Sequence, residues 1–120
     1  MKILGILGSH RNDGATDMML ETVLSAVKAP NTTDMIYLED YPFKPDQGDH
    51  KDPVLDELEA KMLESDVWVI AAPTYWGGLA GKMKDFFDCM RQRLVRFDHE
   101  GGTHPDRFKN KHYLSITDCY

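Results

Sequence analysis

Short apolar segments alternate along this sequence with longer segments whose apolar residues recur every three or four positions. The short segments predict β-strands at residues 3–7, 34–38, 67–72 and 113–117. The longer ones predict helices over residues 16–28 and 79–94, and a helix that begins at Asp52-Pro53. This order is typical of an α/β fold with a doubly wound parallel sheet. Because the segment 67–72 is apolar on both faces, we expect it at the centre of that sheet.

The predicted helices each carry one apolar face. The residues expected on these faces are Met19, Leu20, Val23, Leu24 and Val27, then Leu55, Leu58 and Met62, then Leu79, Met83, Phe86, Phe87, Met90 and Leu94. Trp68 and Cys89 are also expected in the core. The polar segments 39–51 and 96–111 are predicted as loops.

Length and charge narrow the classes of protein that fit. At 120 residues the chain is expected to form a single domain over residues 1–120. Its formal charge of −6 argues against nucleic acid or an anionic membrane as a partner, and no apolar run approaches the roughly 20 residues of a membrane span. The start resembles no signal peptide, and two distant cysteines indicate reduced thiols, so a cytoplasmic location is expected.

The loop after the first strand predicts a phosphate site. Ser9, Arg11, Gly14 and Thr16 lie just before the first helix, whose N-terminus offers unpaired N–H groups and a partial positive charge. The loop lacks the Gly-Lys-Ser/Thr ending of nucleotide hydrolases, the three-glycine dinucleotide fingerprint and a cysteine nucleophile. It is therefore predicted to hold a monophosphate without reacting with it. The alternative is an ordinary turn that uses Ser and Gly for conformational reasons.

The loop after the third strand, residues 73–78, combines two aromatics with two glycines. Aromatic faces suit a flat conjugated ligand, and glycines allow backbone N–H groups to approach it. Because ligands bind beyond the carboxyl ends of parallel strands, the loops after the first, third and fourth strands are expected to meet. A phosphate and a planar ring together predict a mononucleotide such as FMN. Alternatively, Tyr75 and Trp76 cover the sheet edge or form a subunit contact.

The two loops together resemble a known family. The segments GSHRNDGAT at residues 8–16 and APTYWGGLAGKMKDFFD at residues 72–88 are similar to those of NAD(P)H-dependent FMN reductases with a flavodoxin-like fold. The resemblance extends over nearly the whole chain. It implies a parallel sheet with strand order 2-1-3-4 and a chain that binds FMN and uses NADPH or NADH as electron donor.

The resemblance also implies which residues bind the cofactor. Those expected at the FMN phosphate are Ser9, Arg11, Gly14, Ala15 and Thr16. Those expected beside the isoalloxazine ring are Pro73, Thr74, Tyr75, Trp76 and Gly77, with Thr117 and Asp118 at its opposite edge. No catalytic acid or base is implied, because the flavin carries the hydride chemistry.

The sequence departs from its relatives in two respects. Iron–sulfur relatives carry clustered cysteines after the second strand, whereas residues 45–51 contain none, so no such cluster is expected. The polar residues Asp46, Asp49, His50, Asp98, His99, Glu100, His104 and Asp106 are expected to be solvated rather than to bind a metal. Family members also continue past the fourth strand, whereas this sequence ends at Tyr120. The fourth strand is therefore expected to be exposed, or covered in a homodimer or higher homo-oligomer.

These observations favour an FMN-dependent oxidoreductase that passes electrons from NAD(P)H to a small acceptor, such as a quinone, flavin, nitro compound or azo compound. An FMN-binding electron carrier without reductase turnover is the alternative. A chain that keeps the fold without the cofactor is a third hypothesis, and the presence of both Arg11 and Thr16 argues against it.

Overall fold

The computed structural model describes residues 1–11, 13–46, 48, 51–94, 96–97, 103–104, 107 and 109–119. Among the residues weighed above for metal binding, those outside the described part are Asp49, His50, Asp98, His99, Glu100 and Asp106. No group of three or more His, Cys, Asp or Glu residues that could hold a metal ion occurs in the described part.

Four parallel strands form the main sheet. They are β1 (Lys2–Leu7), β2 (Thr32–Tyr37), β3 (Val67–Tyr75) and β7 (His112–Cys119), in the order β2-β1-β3-β7. The predicted order of the four parallel strands, second-first-third-fourth, is therefore confirmed. The predicted central position of the third strand is confirmed as well, since β3 pairs with β1 on one side and β7 on the other.

Helices cover both faces of this sheet. On one face α1 (Ala15–Ser25) packs through Leu20 on Leu7, Val69 and Ala71. On the other face α2 (Pro53–Glu64) and α3 (Gly81–Leu94) enclose a larger core, in which Trp68 and Cys89 are buried as predicted. Burial of the apolar helix faces is the main contribution that stabilises these layers, because each face is removed from water when its helix packs on the sheet.

Local chemistry explains where α2 begins. The Asp52 carboxylate accepts a hydrogen bond from the Val54 N–H at 2.9 Å, and Pro53 stands at the first helical position. The carboxylate satisfies an N–H that has no partner within the helix, and the proline ring already has a helical φ. The predicted helix start at this Asp-Pro pair is therefore confirmed.

Some element boundaries differ from the sequence-based expectation. The prediction of a loop at residues 73–78 is wrong for residues 73–75, because β3 continues to Tyr75. The chain then turns back into β4 (Gly78–Leu79), which pairs antiparallel with the end of β3. Leu79 therefore belongs to a strand and is partly exposed, not to the apolar face of α3. The extension of β3 depends on backbone hydrogen bonds within the hairpin, and the pattern of apolar residues in the sequence does not indicate such bonds.

The two segments predicted as loops also contain short elements. Leu38–Asp40 forms a 3₁₀ turn that buries Leu38. Farther along the chain, β5 (Arg96–Phe97) pairs antiparallel with β6 (Thr103–His104). The first helix ends at Ser25, three residues before the predicted position, and a turn bond from the Asn31 N–H to the Lys28 carbonyl follows it.

Strand β7 lies at one edge of the sheet as the structure describes it. Its Tyr113 side chain is 73% exposed and its Leu114 side chain 47% exposed. An apolar groove of about 510 Å³ lies between α1 and β7, lined by Met18, Met19, Thr22, Val23 and Ile116. Within the described residues, no helix has both the length and the apolarity to cross a membrane.

Candidate functional site

The β1–α1 loop presents the open N-terminus of a helix. Gly14 is the N-cap and makes no side-chain capping bond, and the first helical hydrogen bond runs from the Met18 N–H to the Gly14 carbonyl. The N–H groups of the first helical turn therefore have no carbonyl within the helix to pair with. Thr16 is buried beside them, only 3% exposed. This arrangement favours an anion.

Two predicted phosphate residues frame this helix end. The Ser9 hydroxyl oxygen accepts a hydrogen bond from the Arg11 N–H at 3.1 Å, which folds the loop back on itself. The Arg11 side chain is largely exposed, and its Nε lies 3.8 Å from the Asp13 carboxylate. An exposed pair at this distance is held by little free energy, so the guanidinium can turn to another anion at small cost.

Packing beneath the loop leaves no room for a side chain at Gly8. A Cβ built there would lie 2.7 Å from the Met83 Cε and 2.8 Å from its Cβ. The Gly8 N–H also donates to the Ala71 carbonyl at 2.8 Å, which holds the end of β1 against β3. The glycine therefore lets helix α3 support the loop closely.

Asp17 is a functional candidate that the sequence reading did not select. Its side chain is in the first turn of α1, and the residue is only 7% exposed. Its Oδ1 is buried and has no hydrogen-bond partner among the described residues. Burial, followed by the charges of Glu21 and Asp13, raises the pKa of the Asp17 carboxyl. An acidic residue in the first turn of a helix is common, because its charge is favourable at an exposed helix end. The sequence therefore does not distinguish the buried Asp17 from such an exposed residue.

The β3–β4 hairpin presents an aromatic side chain at the same edge of the sheet. Trp76 and Gly77 form its turn with positive φ angles of 52° and 76°, as a two-residue hairpin turn requires. Gly77 adopts this conformation at little cost, whereas a tryptophan is uncommon there. The Trp76 side chain is fully exposed. The hairpin therefore exposes the Trp76 ring to solvent on a turn whose position is fixed by the pairing of β3 with β4.

The β1–α1 loop and the hairpin meet. The rings of His10 and Tyr75 lie 6.5 Å apart between centroids, tilted by 48°. The Ala80 N–H also donates to the Pro73 carbonyl at 3.1 Å, which closes the hairpin onto the end of β3. The expected convergence of the loops after the first and third strands is thus present in the structure.

The end of β7 completes this edge. Thr117 pairs in register with Ala72, and its hydroxyl shares a hydrogen bond with the hydroxyl of Thr74. Asp118 pairs with Pro73 and is half-buried. The residues predicted from the sequence for one site therefore all lie in three segments: the β1–α1 loop, the β3–β4 hairpin and the end of β7. These segments share the edge of the sheet at which the parallel strands end.

The sequence model of one family, the NADPH-dependent FMN reductases, matches residues 1–117 of this chain. The chain belongs to that family. A relative from Methanocaldococcus jannaschii, an iron–sulfur flavoprotein, is 30% identical over 107 residues, which cover 81% of this chain and 55% of that protein. The chain spans about half the length of the curated relatives it matches.

Solved structures share this reductase-family fold. An FMN-dependent NADH-azoreductase from Bacillus anthracis, solved in complex with FMN, superimposes with a TM-score of 0.69 at 16% identity and covers 99% of this chain and 69% of its own. An NAD(P)H:quinone oxidoreductase from Methanothermobacter marburgensis gives a TM-score of 0.75 at 15% identity, covering 99% and 65%. The fold is therefore flavodoxin-like, as the resemblance implied.

Proposed function

We propose that residues 1–120 form a single FMN-binding domain of an NAD(P)H-dependent oxidoreductase. The contact between His10 and Tyr75 carries this proposal, because it joins an anion-favouring helix end to an aromatic hairpin. A phosphate and a planar ring, joined by a short chain, are the two parts of a mononucleotide. Family membership supports FMN as that mononucleotide.

The residues of the β1–α1 loop fit a phosphate. The amide groups of Ala15 and Thr16 and the hydroxyls of Ser9 and Thr16 supply donors at a helix end that no side chain caps. Arg11 adds a charge-assisted hydrogen bond, which is about twice as strong as a neutral one. The space beside Gly14 is open, since among the described residues a Cβ built there would contact only the Arg11 Cβ, at 3.9 Å.

The hairpin and the end of β7 fit the two sides of a flavin ring. Trp76 and Gly77 are exposed in the hairpin turn, and we propose that backbone N–H groups of this turn bind the ring edge. Thr74 and Thr117 hold the ends of two neighbouring strands together through their hydroxyls, which fixes the floor of the site. Asp118 would lie at the far edge of the ring. We propose that Pro73, Tyr75 and the remaining hairpin residues border the ring.

Bound FMN supplies the redox chemistry, since it takes a hydride from NAD(P)H and passes electrons to a small acceptor. The chain's own part is to bind the phosphate, orient the ring against the hairpin and leave one ring face accessible. The acceptor belongs to the class of quinones, flavins, nitro compounds and azo compounds. We further propose a cytoplasmic location, a homo-oligomeric state and no nucleic-acid or membrane partner. The two cysteines of this chain cannot provide the four thiolates of an iron–sulfur cluster.

A carrier function is the second candidate. The residues that favour the proposal bind the cofactor and none of them is assigned to a donor or an acceptor, which fits a carrier as well as a reductase. A carrier would bind FMN firmly and oxidise NAD(P)H negligibly. The two proposals share the site and differ only in turnover.

The absorption spectrum of the purified chain tests both. FMN is added, the excess is removed by gel filtration, and NADPH and then NADH are added without oxygen. A retained flavin spectrum that either donor bleaches supports the reductase. A retained spectrum that neither donor bleaches supports the carrier, and no retained flavin contradicts both.

A further inference from the structure

Asp17 places a carboxyl at the helix end that is proposed to bind the FMN phosphate. The N–H groups of residues 15–17 precede the first hydrogen bond within α1, which the Met18 N–H makes. Side chains of an α-helix tilt toward its N-terminus, so the Asp17 carboxyl leans toward the same end as these N–H groups. Asp17 is 7% exposed, and its Oδ1 has no hydrogen-bond partner among the described residues. A buried acidic group therefore lies beside a site that favours an anion.

Two carboxylates act on this acidic group from the helix and the loop. Glu21 follows it by four residues on α1, and Asp13 precedes the helix in the β1–α1 loop. Burial first, and then the charges of Glu21 and Asp13, raise the pKa of the Asp17 carboxyl. The Arg11 Nε lies 3.8 Å from the Asp13 carboxylate and offsets part of its charge. Asp17 therefore keeps its proton to a higher pH than an exposed aspartate does.

Strand β2 brings further groups to the same place. Burial, followed by the charges of Glu39 and Asp40 and then those of Asp13 and Asp17, raises the pKa of the Tyr37 hydroxyl. Tyr37 is therefore close enough to Asp17 for their charges to interact. A neutral tyrosine supplies no cation to compensate a carboxylate, so the groups on β2 also favour the protonated form of Asp17.

We infer that FMN binds to the β1–α1 loop together with a proton, which Asp17 takes up from solvent on a carboxylate oxygen. This inference rests on the proposed function, because the FMN phosphate supplies the incoming charge. A phosphate monoester brings about 1.5–2 negative charges to the helix end, and a nearby like charge favours the protonated form of a carboxyl. Protonation also converts Asp17 from a group that only accepts hydrogen bonds into one with an O–H donor.

Arg11 strengthens the coupling between phosphate and proton. Its guanidinium lies beside Asp13 and is also the group proposed to bind the phosphate. When the guanidinium turns to the phosphate, the Asp13 carboxylate loses the cation beside it, and its full charge acts on Asp17. Phosphate binding therefore increases the negative charge near Asp17 in two ways, and both favour uptake of the proton.

The pH dependence of FMN affinity, measured by quenching of flavin fluorescence, tests the inference. Asp17→Asn resembles the protonated carboxyl and cannot ionise. At pH 5 it should bind FMN within about threefold of the parent chain, and at pH 8.5 about tenfold more tightly or better. Glu21→Gln removes one charge from an exposed position on the same helix and is the matched control. Its affinity should stay within about threefold of the parent at both pH values.

Two further measurements separate proton uptake from a structural effect. Riboflavin, which lacks the phosphate, should bind to the parent chain and to Asp17→Asn within about twofold of each other at both pH values. The heat of FMN binding, measured between pH 5 and 8.5 in buffers of different ionisation enthalpy, gives the number of protons exchanged. The parent chain should take up more protons than Asp17→Asn, by at most about one.

The outcomes distinguish this inference from the proposed function. Failure to bind FMN at every pH contradicts the proposed function and overturns the inference with it. If FMN binds and the affinity ratio between Asp17→Asn and the parent is the same at both pH values, the proposed function stands and the inference is wrong. A ratio that changes equally for riboflavin also overturns the inference, because the phosphate is then not the charge to which Asp17 responds.

Discussion

The hydroxyl of Thr74, near the end of the central strand, shares a hydrogen bond with the hydroxyl of Thr117 on the neighbouring strand. The resemblance to the reductase family implies both residues for one site, although 43 positions separate them. The bond joins two parallel strands near their carboxyl ends, diagonally across the register in which Thr117 pairs with Ala72. It therefore adds a side-chain link to the backbone pairing of β3 with β7 at the candidate site.

Replacing Thr117 by Val removes that hydroxyl while keeping the branched shape. We expect FMN to bind about three- to tenfold more weakly, because a neutral hydrogen bond contributes about 0.5–1.5 kcal/mol. Quenching of flavin fluorescence during titration measures the affinity. Thr117→Ser, which retains the hydroxyl, is the control and should bind like the parent chain. Equal affinities for the Val and Ser variants would remove the hydroxyl from the site.

Arg11→Ala removes the exposed cation of the β1–α1 loop. Loss of a charge-assisted hydrogen bond should weaken FMN binding by about 1.5–3 kcal/mol, roughly 10- to 150-fold. Riboflavin, which lacks the phosphate, provides the internal control, since its affinity should change by less than about twofold. If FMN and riboflavin lose affinity equally, Arg11 acts through the loop structure instead.

Gly8→Ala should destabilise the fold. The added methyl would lie within 2.8 Å of two Met83 carbons, so helix α3 or the end of β1 must shift. Overpacking of this kind costs about 1–3 kcal/mol, measured as the free energy of unfolding in urea. Gly81→Ala is the matched control, because a Cβ there meets nothing within 4 Å. A Gly8→Ala chain as stable as the control would mean that Met83 moves aside freely.

Asp17→Asn should stabilise the chain at neutral pH. The pKa of the Asp17 carboxyl is raised in the folded state, first by burial and then by Glu21 and Asp13, so ionisation opposes folding. The cost is absent well below the ordinary pKa of 3.8, grows as the pH rises from there to the raised pKa of the folded state and is constant above it. We expect Asp17→Asn to raise the free energy of unfolding at pH 7 and to leave it almost unchanged near pH 3.

Urea unfolding at both pH values measures this gain, and Glu21→Gln, at an exposed position on the same helix, is the control. A gain of equal size at both pH values would show that ionisation of Asp17 is not its cause. A loss of stability at pH 7 would show that the helix N-terminus favours the ionised carboxylate more than burial disfavours it.

The Cys89 thiol should be inert in the folded chain. Burial, followed by the charges of Asp46, Asp85 and Asp88, raises its pKa to about 11, and the thiol donates to the Lys44 carbonyl at 3.4 Å. Because the thiolate is the reactive form, a Cys119→Ser chain should not react with an aromatic disulfide reagent at pH 7 until it is unfolded. Reaction at the same rate with and without denaturant would contradict this burial.

The layers of this fold follow from its apolar pattern. The six-residue run beginning at Val67 is apolar on both faces and can be stable only between two helical layers. Leu55, Leu58 and Met62 recur at helical spacing, and all three are buried. Patterns of this kind record burial, so the central position of this strand and many core residues could be predicted from the sequence, whereas the full strand order was implied by the resemblance to the reductase family.

What could not be predicted depends on backbone pairing and on neighbours distant in sequence. The extension of β3 to Tyr75 comes from hydrogen bonds to β4, and Leu79 fits either a helix face or a strand by its chemistry alone. Asp17 has the composition of an ordinary first helical turn, and its burial arises only when the β1–α1 loop packs around it. Parallel strand order predicts that the β1–α1 loop and the hairpin meet, but not that His10 and Tyr75 are the residues in contact.

The two tryptophans of this chain report on different parts of it. Trp68 is buried, and its indole N–H donates to the Met62 carbonyl at 2.9 Å, whereas Trp76 is fully in water at the tip of the hairpin. The fluorescence of the folded chain therefore has a blue component from the core and a red component from the site. Iodide reaches only the red one. A ligand on the hairpin changes that component and leaves the other unchanged, so the chain carries its own optical probe of occupancy and its own internal reference.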